Sequence, residues 1–276
     1  MENIVIKTLK NTQSIKFENT RLSQISPIKK HTIASIIFAF VPISNAMADG
    51  TTSFALGIGA GFSDPEYIGV DNEFEVLPLV FFDNSWVSLV GTTLDVKVAN
   101  INNTTFSIRG KYALGDGYDD SDSYIFDGMD TRDSSLWIGP AMTWSNPMFD
   151  LKLDALVDAM DNSEGQQASI SISKGFKISE RLQVEPSIGT TWYSDKYVNY
   201  YYGVKSSEVN ANRSQYNGKS TTVLDAGVRF NYAIDNQQSL ALDVSVKQFG
   251  DEIKDSPLVD KKTTAAAYLG YIYRFK

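Results

Sequence analysis

The chain has 276 residues, of which 42% are hydrophobic and 12% aromatic, and a formal charge of −8. It has no cysteine, which excludes disulfides and thiolate chemistry, and a single histidine, His31. No apolar run reaches the ~20 residues that a membrane-spanning helix requires, and the acidity argues against nucleic acid as a partner, because phosphates are neutralised by Lys and Arg.

Residues 1–48 read as a targeting segment. Lys29, Lys30 and His31 form a basic flank, and residues 32–43 (TIASIIFAFVPI) a short apolar stretch. Ala46-Met47-Ala48 is then an A-x-A cleavage site ahead of Asp49. Cleavage there leaves residues 49–276 as the mature chain, with a net charge of about −12. It also removes His31, so neither Cys nor His remains for a nucleophile–base pair. The mature chain is therefore expected to be no enzyme and to hold no cofactor and no metal.

From residue 53 onward, period-two alternation recurs. Residues 53–62, 73–82 and 86–99 are the first candidates for strands. In 105–114, Phe106, Ile108, Tyr112 and Leu114 share one face, and Ser107, Arg109 and Lys111 the other. In 148–160, Leu151, Leu153, Ala155 and Val157 oppose Lys152, Asp154 and Asp158. In 168–178, isoleucines oppose serines until Lys174 breaks the apolar face. Residues 221–232, 239–249 and 264–275 repeat the pattern. Segments of about 10–13 residues exceed the usual soluble strand of ~5–6 and match a tilted membrane strand of ~9–11. Together with export, this predicts an all-β protein, a transmembrane antiparallel up-and-down barrel with an apolar outside and a polar lumen.

Connections alternate in length. Residues 145–147, 179–180 and 235–238 are tight turns, whereas 115–134, 195–219 and 250–262 are long polar loops. Short turns face the periplasm and long loops the outside. Parity then decides the strand count. If 86–99 splits near Gly91-Thr92-Thr93 the barrel has twelve strands, which is preferred. If 73–82 does not span, because Pro78 removes a ladder donor, it has ten.

Few residues invite chemistry. Gly57-Ile58-Gly59-Ala60-Gly61 lacks the G-x-G-x-x-G spacing, since Phe62 stands where the third glycine belongs; its glycines fall on the inward face. The inward carboxylates Asp154, Asp158, Asp225 and Asp243 are better explained by pairing with Lys152, Arg229 and Lys247 than as an acid–base couple. Residues 115–134 carry seven Asp (116, 119, 120, 122, 127, 130, 133) beside Arg132. They read as a solvated outer loop, with a divalent-cation site bridging lipopolysaccharide as the alternative. Two further loops are expected to pack as a lid over the extracellular mouth. One carries Tyr200, Tyr201, Tyr202, Gly203 and Glu208, and the other Asp255, Pro257, Asp260 and Lys261. The tyrosines are too apolar to stand free in solvent, and Pro257-Leu258-Val259 offers a surface to cover them.

Four stretches carry a resemblance. They are FSDPEYIGVD at 62–71 with Pro78 beyond it, DAMDNSEG at 158–165, YYYGVKSSE at 200–208 followed by Tyr216, and DEIKDSPLVDK at 251–261. These resemble the MipA/OmpV family over nearly all of residues 53–275. Two family features are absent: a second proline near Pro78, and a chain end on the final aromatic, since Lys276 follows Phe275. The resemblance implies a Gram-negative outer-membrane barrel in contact with lipid and lipopolysaccharide. It also implies a scaffold that joins a lytic transglycosylase to a murein synthase. Other family members are linked to osmotic or antibiotic response and to adhesion. A small-solute pore is the alternative function. Oligomeric state is not legible.

Overall fold

The computed structural model describes residues 52–275. The cleavage residues Ala46, Ala48 and Asp49 lie outside the described residues. Strands β1 (Ser53–Ser63), β2 (Glu73–Asp83), β3 (Val87–Val90), β4 (Thr93–Ile101), β5 (Thr104–Tyr112), β6 (Leu136–Ser145) and β7 (Asp150–Asp158) follow one another as antiparallel neighbours. The sheet continues through β8 (Gln166–Ser173), β9 (Phe176–Lys177), β10 (Leu182–Tyr193), β11 (Thr221–Ala233), β12 (Gln238–Phe249) and β13 (Thr263–Phe275). It closes where β1 pairs with β13, as in Ala55 opposite Arg274. β8 and β9 both pair with β10 and form one interrupted strand, so the wall is a closed twelve-stranded barrel. The ten-strand alternative fails because Glu73–Asp83 pairs with β1 along its whole length, with Pro78 opposite Ile58. Pro78 is tolerated because β3 does not extend up to it; the two pair only from Phe81 to Asp83.

Alternation assigns the faces. Ile58, Phe62, Val98, Ile188 and Leu269 point outward and are exposed, the arrangement expected where lipid rather than water surrounds the wall. Many inward positions are small or charged. Gly61 lies under Tyr268, where a Cβ would meet the ring and its backbone. No described helix is long and apolar enough to cross a membrane.

The lumenal charges are held in place by one another. Arg109 donates to both oxygens of Asp95 on β4 at 2.8 Å and to Asp154 on β7 at 2.7 Å. It crosses β6, whose facing residues are Gly139 and Ala141. A Cβ on Gly139 would run into the Ala155 carbonyl. Arg229 pairs with Asp243 at 2.7 Å, as the sequence suggested. Asp154 pairs with Arg109, which lay outside the partners expected for these carboxylates, because two intervening small residues let the longer, forked side chain reach across. Asp225 lies over Gly189 and faces Lys247 electrostatically. Asp158 sits at the rim, where it accepts from Ser135 Oγ at 3.0 Å, Ser163 N at 2.7 Å and Met160 N at 2.9 Å.

Candidate functional site

The long connections all leave one end of the barrel, and there they build a second hydrophobic core. Tyr67 and Val70 from the β1–β2 connection meet Tyr118, Phe126 and Met129 from β5–β6. Tyr197, Tyr201, Tyr202 and Val204 come from β10–β11, and Ile253, Leu258 and Val259 from β12–β13. Inward Trp137 and Leu156 form its floor. Tyr67 is the hub, with ring centroids 5.2–5.5 Å from Tyr118, Phe126 and Tyr202. Burial pushes its hydroxyl and those of Tyr197 and Tyr202 well above the usual phenol range, so they act as neutral donors and apolar bodies.

Part of the 195–219 connection is ordered as α1 (Asp195–Tyr202), which the polar composition of that loop concealed. Ser194 caps its first turn, accepting from Tyr197 N at 3.4 Å, and Tyr197, Val198, Tyr201 and Tyr202 form its buried stripe. The Ser-Asp start and the i, i+4 tyrosine spacing were the available signals. Gly203 ends the helix, its N–H donating to Asn199 O at 3.2 Å; α2 (Asp251–Lys254) is a single turn in the last connection.

The residues expected in the two loops come together. Ser256 Oγ donates to Tyr202 O at 2.7 Å, and Tyr216 OH to Glu252 O at 2.9 Å. Tyr200 receives Arg132 Nε on its carbonyl at 2.7 Å. Lys261 reaches Asp64 at 2.5 Å, and Asp260 N donates to Glu66 O at 3.2 Å. Asp255 stays exposed, and Pro257 is half-buried beside buried Leu258. The β1–β2 connection belongs to the same assembly, since Tyr202 OH donates to Glu66 at 2.7 Å and Ile68 N to Leu258 O at 2.9 Å.

Three polar residues at the centre were not singled out as a set by the sequence. Arg132 and Glu208 form an ion pair at 2.8 Å, each side chain only 2% exposed. Arg213 lies fully buried beneath, donating to Glu208 O, Asp127 O and Ile125 O. Burial alone would raise the Glu208 carboxyl, but donors at Lys205 N, Arg132 and Asp130 N hold it below its ordinary value. Asp116 shows the opposite balance: desolvation lifts it to about 6, against the pull of Lys111 and Lys247. Among the described residues no group of three acidic side chains could hold a metal ion. Asp119 accepts from Ser121 and Thr131, and Asp130 pairs with Lys205 at 2.8 Å.

A closed antiparallel wall, an apolar exterior, a charged interior and long connections at one end together define an outer-membrane β-barrel. The family model described as MltA-interacting protein MipA matches residues 56–275. The chain belongs to that family. YiaT of Escherichia coli strain K12, described as an outer membrane protein, is 25% identical over 83% of this chain and 94% of its own. The MltA-interacting protein of the same strain is 25% identical over 85% and 95%. OmpV of Vibrio cholerae, an outer membrane protein, is 26% identical over 55% and 59%. The protein is accordingly an outer-membrane protein. Three of the four stretches that carry the family resemblance, those at 62–71, 200–208 and 251–261, lie in connections that converge on this core, and the fourth, at 158–165, holds the Asp158 turn at the rim.

Proposed function

We propose that the protein is a membrane-embedded scaffold whose barrel is closed on the outside by a lid, and which presents its turn end to enzymes of the murein layer. The observation that carries this reading is the hydrophobic core at the long-loop end, because a mouth filled with interlocked aromatic rings and a buried ion pair obstructs passage. In this reading residues 1–48 are removed on export. The loops of Tyr200–Tyr202, Gly203 and Glu208 and of Asp255, Pro257, Asp260 and Lys261 then form the extracellular lid. The name of one relative, MltA-interacting protein, supports a lytic transglycosylase as partner, with a murein synthase following from the family resemblance. We assign no catalytic role, in keeping with a mature chain free of Cys and His.

A second reading, a small-solute pore, is favoured by the interior. Ser171, Ser187 and Ser245 point inward yet remain half-exposed, so side chains do not fill the lumen. Planar-bilayer recording combined with affinity purification from envelopes separates the two. The scaffold reading expects no steady conductance and recovery of a transglycosylase. Steady conductance of small ions without any recovered murein enzyme would replace it with the pore.

A further inference from the structure

The wall has one low place. β3 has four residues, whereas its neighbours β2 and β4 have 11 and 9. The β3–β4 hairpin turns at Gly91, whose N–H donates to Val80 O at 3.0 Å. Above that bond, from Glu73 to Leu79, β2 keeps its pairing to β1. Among the described residues no backbone hydrogen bond reaches this stretch from the β3 side. It is about 20 Å of strand at ~3.3 Å per residue. Strand tilt accounts for part of the offset, but a hairpin this short leaves a gap in the ladder beside upper β2, since β5 also ends at the level of the turn, its Tyr112 N donating to Thr92 O at 3.1 Å. The gap is roofed, because Ser123 Oγ from the β5–β6 connection donates to Ile68 O at 2.7 Å, and Tyr124 lies against Gly69.

A second observation bears on what enters there. The inner face is apolar at this spot, as it is at the Trp137 and Leu156 floor of the loop core. Leu77, Leu79 and Phe81 of β2 point inward, and Phe81 packs with Val90 of β3 and Ile272 of β13 around buried Leu79. Outside, Phe74, Val76 and Leu94 flank the gap, exposed on the lipid-facing wall. An unpaired strand edge is costly against hydrocarbon, so the opening must lie near the polar surface of the bilayer or be hydrated from the lumen. Glu75, which accepts from Tyr268 OH at 2.8 Å, supplies a carboxylate on the lumenal side of the same strand.

We infer that this gap is a lateral window through which the acyl chain of a bilayer lipid reaches the lumen, lying on the Leu77–Phe81 patch. Continuity with the lipid-facing wall argues for this occupant. The window does not depend on the scaffold reading, because it concerns the wall and not the turn end.

The test is fluorescence quenching in bilayers of phosphatidylcholine brominated along its acyl chains, measured relative to the parent with its four tryptophans. Leu77→Trp places a reporter inside the window, Val76→Trp outside on the lipid face, and Ser171→Trp inside on the opposite wall. Phe81→Trp repeats the measurement at the foot of the window should Leu77→Trp fail to give heat-modifiable gel mobility. The expected result is loss of most of the added fluorescence for Leu77→Trp or Phe81→Trp, as for Val76→Trp, with Ser171→Trp unquenched. Equal quenching at Leu77 and Ser171, or an unquenched Leu77→Trp and Phe81→Trp in folded barrels, overturns the window. A concentration-dependent crosslinked dimer in place of quenching also overturns it, since another strand would then occupy the edge.

Discussion

Arg132 and Glu208 stand 76 positions apart in the chain and meet at 2.8 Å in the interior of the loop assembly. The same carboxylate also receives the Lys205 and Asp130 amides at 2.9 and 3.2 Å. One side chain thus ties the β5–β6 connection to the β10–β11 connection.

Glu208→Gln leaves the Arg132 guanidinium buried without a counter-charge, a change that costs about 3–5 kcal/mol. The loops should become sensitive to limited proteolysis, while the barrel keeps its heat-modifiable mobility. Unchanged protection of the loops would refute the tie. Replacing both partners by Met and Leu should recover only part of the protection, because the Lys205 and Asp130 amides lose their acceptor.

Acid should act on the same point. The folded carboxyl of Glu208 titrates below its ordinary value of 4.5. A depressed value means that its stabilisation is fully present above the unfolded value and is lost as pH falls through the folded one. Loop protection should therefore hold at neutral pH and be lost only on acidification to below the ordinary value of 4.5. The Glu208→Gln variant should show no such loss in that range beyond its existing deficit.

Gly203→Ala should loosen the C-terminal end of α1. An added Cβ would meet the carbonyl oxygen of Asn199, which is helix backbone and cannot rotate away. A cost of about 1–3 kcal/mol is expected for such overpacking, read as faster cleavage after the tyrosine cluster. Gly110→Ala is the control, since nothing lies within 4 Å of its added methyl group.

Closure of the barrel can be tested covalently. Ala55 and Arg274 face each other on β1 and β13, which places their Cα atoms about 4.5–5.5 Å apart, within reach of a disulfide. Cysteines at the two positions should oxidise and alter the mobility of the heat-denatured chain. Failure to couple in a folded barrel would contradict the β1–β13 seam.

The strands were legible because lipid outside and water inside impose one period on every segment. Even the split at Gly91 and the break at Lys174 left a mark in the pattern. The loop core was legible only in part. Tyr200–Tyr202 and Pro257-Leu258-Val259 advertise themselves by apolar surface that solvent cannot accommodate. Arg132 and Arg213 do not, because a charge in a polar loop reads as solvated until tertiary structure buries it. Arg109 was hidden for a similar reason: its reach depends on Gly139 and Ala141, which lie on a strand paired to its own but 30 or more positions away. The window depended on an absence, the residues that β3 does not have, and only its position against β2 gives that absence meaning.

The Arg109 crossing also has a mechanical consequence. It fastens β4 and β5 to β7 over β6 at about mid-height, so widening the barrel there must break the charge-assisted Arg109–Asp154 bond as well as a strand ladder. Between β2 and β4 no comparable crossing is present among the described residues above Lys97, which holds Asp83 at 2.7 Å near the turn end. Strain applied by the membrane will therefore concentrate at the short hairpin, and the cross-section will deform from round towards oval along that single line.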